Sequence, residues 1–139
     1  MTLHTAPGTA RPRVGDYMAT DLIVLRPEME ILHAMTVLLE KRISGAPVVD
    51  AEGTLVGVLS KKDCLRAALH AAYHQEWGSP VARHMSAPVE TLDVDLDLVT
   101  AVERFLASPY RRFPVLHEGQ LVGQISRADL LRALVENWR

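Results

Sequence analysis

The chain has 139 residues, 48% hydrophobic and 23% charged, with a formal net charge of −2. That length suits one compact domain or two small repeats, and the near-neutral balance gives no electrostatic reason to expect a nucleic acid or an anionic membrane as partner. The single cysteine, Cys64, excludes an intramolecular disulfide and makes no cysteine-based zinc site by itself, no apolar run reaches transmembrane length, and without an apolar signal core after Met1 the expected location is the cytoplasm.

Residues 1–13, MTLHTAPGTARPR, are rich in Thr, Ala, Pro and Gly, and a flexible tail is expected there. Val14–Met18 reads as one helical turn, and Leu22–Leu25, ended by Arg26-Pro27, as a short strand. From Glu28 to Lys41 the apolar residues Ile31, Leu32, Met35, Leu38 and Leu39 recur every three or four positions, which predicts an amphipathic helix. Ile43-Ser44-Gly45 breaks it. Ala46–Val49 and Leu55–Leu59 flank the turn Asp50–Gly53 and predict a hairpin. Lys61 to Gln75 predicts a second helix, with Leu65, Ala68, Leu69 and Ala72 on one face, and Gly78-Ser79-Pro80 marks a linker.

The second half repeats the first. Met85 lies 67 residues after Met18 and Pro114 lies 67 after Pro47; the offset falls to 66 between Asp63 and Asp129, because the turn His117–Gln120 is one residue shorter. Val81–Met85 answers Val14–Met18, Val89–Leu92 answers Leu22–Leu25, and the helix Leu96–Ala107, with Asp95 near its start, answers the first amphipathic helix. Phe113–Leu116 and Leu121–Gly123 answer the first hairpin, and Arg127–Glu136 closes as a helix. A fixed offset across several elements is the mark of duplication. The expected fold class is α/β (α+β): two β-α-β-β-α units, residues 14–77 and 81–139 around the linker 78–80, sharing a core with pseudo-two-fold symmetry and placing equivalent sites on opposite sides of one cleft. Apolar and aromatic residues at the ends of the closing helices, Tyr73, Trp77, Val135 and Trp138 among them, suit a homodimer contact.

Two stretches carry candidate chemistry: Gly57–Asp63, GVLSKKD, and Gly123–Asp129, GQISRAD. Each joins a strand to a helix. Ser60 and Ser126 suit the N-cap, with the aspartate three residues on completing a capping box. The same groups suit a ligand, since helix N-termini leave N–H groups free and favour anions, while a carboxylate accepts from ribose hydroxyls. The two readings are compatible. His70 and His74 stand four apart, a metal-ligand spacing, with neither the Glu of H-E-x-x-H nor a third ligand; His84 and His117 have no evident partner, and His4 lies in the tail. With no nucleophile–base pair, no metal cluster and no G-x-x-x-x-G-K loop, an enzyme is not expected.

Taken together, Met18 with the short strand after it, APVVD (Ala46–Asp50), FPVLH (Phe113–His117), the Glu-Gly turns, the Leu-Val-Gly strands and the two G-x-x-S-x-x-D endings resemble a tandem pair of cystathionine β-synthase (CBS) domains, a Bateman module. The resemblance implies allosteric sensing of adenosine compounds: AMP, ADP or ATP, the last with Mg, or S-adenosylmethionine or NAD. It implies ribose contacts at Asp63 and Asp129, ribose or phosphate contacts at Ser60 and Ser126, and phosphate contacts at Lys61 and Arg127. It implies adenine pockets lined by Ile23, Val24, Ala46 and Pro47 in one repeat and by Glu90, Thr91, Phe113 and Pro114 in the other. Arg111-Arg112 resembles a basic pair of nucleotide-binding members, and forked guanidinium groups suit phosphate. The first repeat has Ser44-Gly45 there and Val24 where Thr91 keeps the family residue, so equivalent sites are not expected. A separate effector protein would read the ligand signal. The competing expectation is a ligand-free scaffold or dimerisation module.

Overall fold

The computed structural model describes residues 11–138. The expected tail at 1–10, with His4, lies outside the described residues, whereas Arg13 is tied in, its backbone N–H donating to the Asp16 carboxylate at 2.9 Å. Two antiparallel hairpins carry the fold: β1 (Gly45–Val49) with β2 (Leu55–Ser60), and β4 (Arg112–His117) with β5 (Gln120–Ser126). Their registers correspond, with Pro47 opposite Val58 and Pro114 opposite Gln124, and a bulge follows Val48 in one and Val115 in the other. Gly53 and Gly119 close the turns at φ 84° and 81°, a left-handed backbone that favours glycine.

The short strands differ from expectation. Leu92–Asp93 forms β3, parallel to β4, in place of Val89–Leu92. In the first repeat the run Leu22–Leu25 gives only a single parallel bridge, Leu25 to Val48. Val94 shows why: its N–H donates to the Leu116 carbonyl at 2.9 Å and prolongs β3. The residue 67 positions earlier is Pro27, which has no N–H to give.

The amphipathic helices are α1 (Ile31–Glu40) and α4 (Leu98–Leu106), each starting later than the periodicity predicts. They bury matching positions: Ile31, Ala34 and Leu38 in one, Leu98, Ala101 and Phe105 in the other. Asp97, not Asp95, is the N-cap of α4, accepting from the Thr100 N–H at 3.1 Å and hydroxyl at 2.7 Å. α2 (Lys61–His74) and α5 (Arg127–Asn137) follow β2 and β5 without a loop. The predicted face of α2 is wrong by about one position. The helix buries Asp63, Cys64, Ala67 and Ala71, and leaves Leu65 72% and Leu69 58% exposed. Its N-cap fixes the rotation, because a capping aspartate that turns inward carries Cys64, and not Leu65, to the core.

The chain divides into two compact units whose membership crosses the repeats. One combines Ile23–Val89; the other combines residues up to Leu22 with Glu90 onward. Val14 is fully buried with Leu92, Leu98, Phe113 and Ile125, and its N–H donates to the Leu96 carbonyl at 2.9 Å. Reciprocally α3 (Val81–His84) buries Val81 with Leu25, Leu38 and Leu59, and the Val81 N–H donates to Met29 at 2.8 Å. Each unit thus has a buried cluster of its own, completed by the turn that precedes the other repeat. The strand glycines accommodate these turns: a Cβ at Gly57 would overlap the Met85 thioether, and one at Gly123 that of Met18.

Candidate functional site

Ser60 and Ser126 are extended residues at strand ends, and both cap the helix that follows. Each hydroxyl accepts from the aspartate N–H at 3.1 Å, and each aspartate accepts from the serine N–H at 2.9 Å. The capping boxes expected from sequence are therefore complete in both repeats. The segment ahead of each hairpin is pinned to the same spot. Lys61 N–H donates to the Ser44 carbonyl at 2.9 Å and Arg127 N–H to the Arg111 carbonyl at 3.1 Å, while Gly45 pairs with Ser60 and Arg112 with Ser126. Ser126, Arg127 and Asp129 thereby meet Arg111 and Arg112 at one end of the second hairpin. The corresponding end of the first hairpin brings Ser44 and Gly45 to Ser60, Lys61 and Asp63. None of the ion pairs among the described residues engages Lys61, Arg111, Arg112 or Arg127.

The two carboxylates differ in how much of their acceptor capacity is used. An ionised carboxylate offers about four acceptor positions. On Asp63, Oδ2 accepts from the Ser60 N–H and hydroxyl, both at 2.9 Å, and Oδ1 accepts from Arg66 at 2.8 Å and the Ser86 hydroxyl at 3.1 Å. Its side chain is 4% exposed. Asp129 accepts, among the described residues, from the Ser126 N–H at 2.9 Å and from Arg132 at 3.4 Å, and its side chain is 19% exposed. Sequence reasoning passed over Arg66, Ser86 and Arg132. Ser86 had a legible signal, since it follows Met85 as Ala19 follows Met18.

The residues assigned to adenine sort by unit: Ile23, Val24, Ala46 and Pro47 with Asp63, and Glu90, Thr91, Phe113 and Pro114 with Asp129. Val24 is exposed, and Ile23 and Thr91 are half-buried. Ala46 and Phe113 are core residues. The Phe113 ring packs edge-on against Phe105 and Tyr110, with centroids 4.8 and 5.7 Å away, so only its backbone remains to line a ligand surface.

Two stretches, 14–70 and 81–136, match the family model of the CBS domain. The chain belongs to the CBS domain family. This CBS pair is 31% identical to a crystal structure of CBSX2 in complex with AMP, covering 89% of this chain and 96% of that one with a TM-score of 0.78. A second structure, the CBS-pair protein CBSX2 from Arabidopsis thaliana, is 29% identical over 91% of this chain and 96% of that one, also with a TM-score of 0.78. The A-adding tRNA nucleotidyltransferase of Aquifex aeolicus is 34% identical over 125 residues, which is 90% of this chain and 15% of that enzyme's length. Among the described residues no helix is long and apolar enough to cross a membrane.

Away from the capping motifs, the CBS pair gathers histidines. The rings of His70 and His74 are 4.4 Å apart, and those of His70 and His84 6.3 Å. His84, which sequence left without a partner, shares a 2.6 Å hydrogen bond with the buried Ser79 hydroxyl. Burial foremost, then the nearby His70 and Arg83, pushes the His84 imidazole below its ordinary range. Arg83 holds the Glu76 carboxyl below the usual carboxylate range through a 2.8 Å hydrogen bond. No group of three His, Cys, Asp or Glu side chains that fits a metal ion occurs among the described residues.

Proposed function

We propose that this CBS pair is a regulatory module that senses an adenosine compound through the unit containing Asp129. The observation that carries this reading is the company Asp129 keeps. Among the described residues, a carboxylate with acceptor capacity to spare stands at a helix N-terminus, on the hairpin end that also bears Arg111, Arg112 and Arg127, none of which is ion-paired to another described residue. Ribose hydroxyls are donors that such a carboxylate accepts. Guanidinium forks and helix N–H groups favour phosphate. The AMP complex of CBSX2, a relative at 31% identity, supports an adenine nucleotide as ligand class. AMP, ADP and ATP differ in how many phosphates the arginines must neutralise, and Mg accompanies ATP.

The ligand acts by differential affinity for two states of the module. The signal passes by conformational or oligomeric change to an effector protein, in a cytoplasmic and non-catalytic role. A homodimer through the exposed apolar faces of α2 and α5 gives that signal a route. Leu65, Leu69 and Tyr73 line one such face, and Leu131 and Val135 the other. Those faces also favour a second reading, a ligand-free dimerisation scaffold.

Thermal unfolding against AMP, ADP, ATP with Mg, S-adenosylmethionine and NAD separates the two readings. A ligand that binds only the native state must raise its melting temperature. The sensor reading expects a rise with at least one of them that Asp129→Ala abolishes. No rise with any at saturation leaves the scaffold.

A further inference from the structure

We infer that Ser86 closes the first repeat's ribose-type carboxylate, so that the chain takes one adenosine ligand, at Asp129, and that position 86, with its counterpart Ala19, sets the number of sites. The inference rests on the adenosine reading above. The two positions share one backbone setting. Ser86 exchanges two hydrogen bonds with Val58 across β2, at 2.9 and 3.0 Å, and Ala19 exchanges two with Gln124 across β5, at 2.8 and 2.9 Å. Val58 and Gln124 are themselves equivalent, 66 residues apart. What differs is the side chain. The Ser86 hydroxyl donates to Asp63 Oδ1 at 3.1 Å, beside Arg66 at 2.8 Å on the same oxygen, and takes the fourth acceptor position. Ala19 has no hydroxyl, and the guanidinium equivalent to Arg66, that of Arg132, stands back at 3.4 Å from Asp129 Oδ1.

A ribose needs acceptor positions that Asp63 has already committed within its own unit and that Asp129, among the described residues, has not. To bind at Asp63 it must displace Ser86 and Arg66 from a carboxylate whose side chain is 4% exposed. The cations differ in the same sense: Ser44 and Gly45 stand where Arg111 and Arg112 stand in the other hairpin. An opened Asp63 site would therefore have Lys61 but no counterpart of Arg111 and Arg112, and would favour the phosphate of AMP over plain adenosine less than the Asp129 site does.

Both positions are exposed, so exchanging their side chains disturbs no core. The test is calorimetric titration of the full chain with adenosine and with AMP, on wild type, Asp129→Ala, Ser86→Ala and Ala19→Ser. Wild type is expected to bind one equivalent, lost in Asp129→Ala. Ser86→Ala should take a second equivalent of adenosine. Ala19→Ser should weaken binding by roughly tenfold or more, the cost of competing for one charge-assisted hydrogen bond. The inference is overturned if wild type already binds two equivalents, if Ser86→Ala still binds one, or if Ala19→Ser binds as wild type does. In each of those cases wild type binds and the adenosine reading stands. Binding by none of the four proteins overturns both.

Discussion

Asp63 and Asp129 occupy the same motif position and carry different structural burdens. Both complete a capping box, so Ser60→Ala and Ser126→Ala should each cost about 1 kcal/mol in urea unfolding. The aspartates should separate. Among the described residues, Asp63→Asn disturbs a buried carboxylate with four hydrogen-bond donors, whereas Asp129→Asn disturbs one with two. Unfolding midpoints should therefore fall further for Asp63→Asn, and equal falls would contradict the asymmetry. His84 gives a pH dependence of definite sign. Its imidazole lies below the ordinary 6.5 in the folded chain, so the unfolded chain binds the proton first. Stability should decline as pH drops below about 6.5, and the decline should flatten once the folded imidazole is itself protonated. His84→Asn, which removes the titrating ring, should make melting temperature less steep between pH 7 and 5.

At the scale of elements, the strand-to-helix junctions are set by short-range chemistry. The rotation of α2 is fixed at its N-cap, and this leaves Leu65, Leu69 and Tyr73 outward. Periodicity alone groups Leu65 and Leu69 with Ala68 and Ala72 because it sees spacing and not the inward turn of Asp63. The strands show a related limit. A β-type run of four residues gives one bridge in the first repeat because Pro27 stands where a donor is needed. The glycines of the G-x-x-S-x-x-D stretches are explained by neither turn nor ligand; they clear space for Met85 and Met18. Gly57→Ala and Gly123→Ala should each destabilise by about 1–3 kcal/mol, as overpacking does. Adding Met85→Ala to Gly57→Ala should recover part of that loss in a double-mutant cycle.

At the scale of the whole chain, the repeats in sequence are not the compact units in space. Residues 14–19 complete the unit built from the second repeat, and 81–86 the unit built from the first. Val14→Ala, although near the chain's beginning, should cost about 2 kcal/mol, the worth of a buried valine side chain. Hydrogen exchange should register the loss more at Val115 and Ile125, which share its cluster, than at Val48 and Leu59. The sequence by itself determined the duplication, the two hairpins, the capping boxes and the motif residues. All of these rest on spacing within about fifteen residues or on a constant offset, which a linear reading sees directly. Tertiary structure alone decided which turn completes which core, that the Phe113 ring is packed in one of them, and that the Ser86 hydroxyl reaches Asp63 while Ala19 brings no hydroxyl to the equivalent place. Those outcomes depend on side chains that meet from distant parts of the chain, where a hydroxyl or its absence at one position changes the chemistry of another 23 residues away.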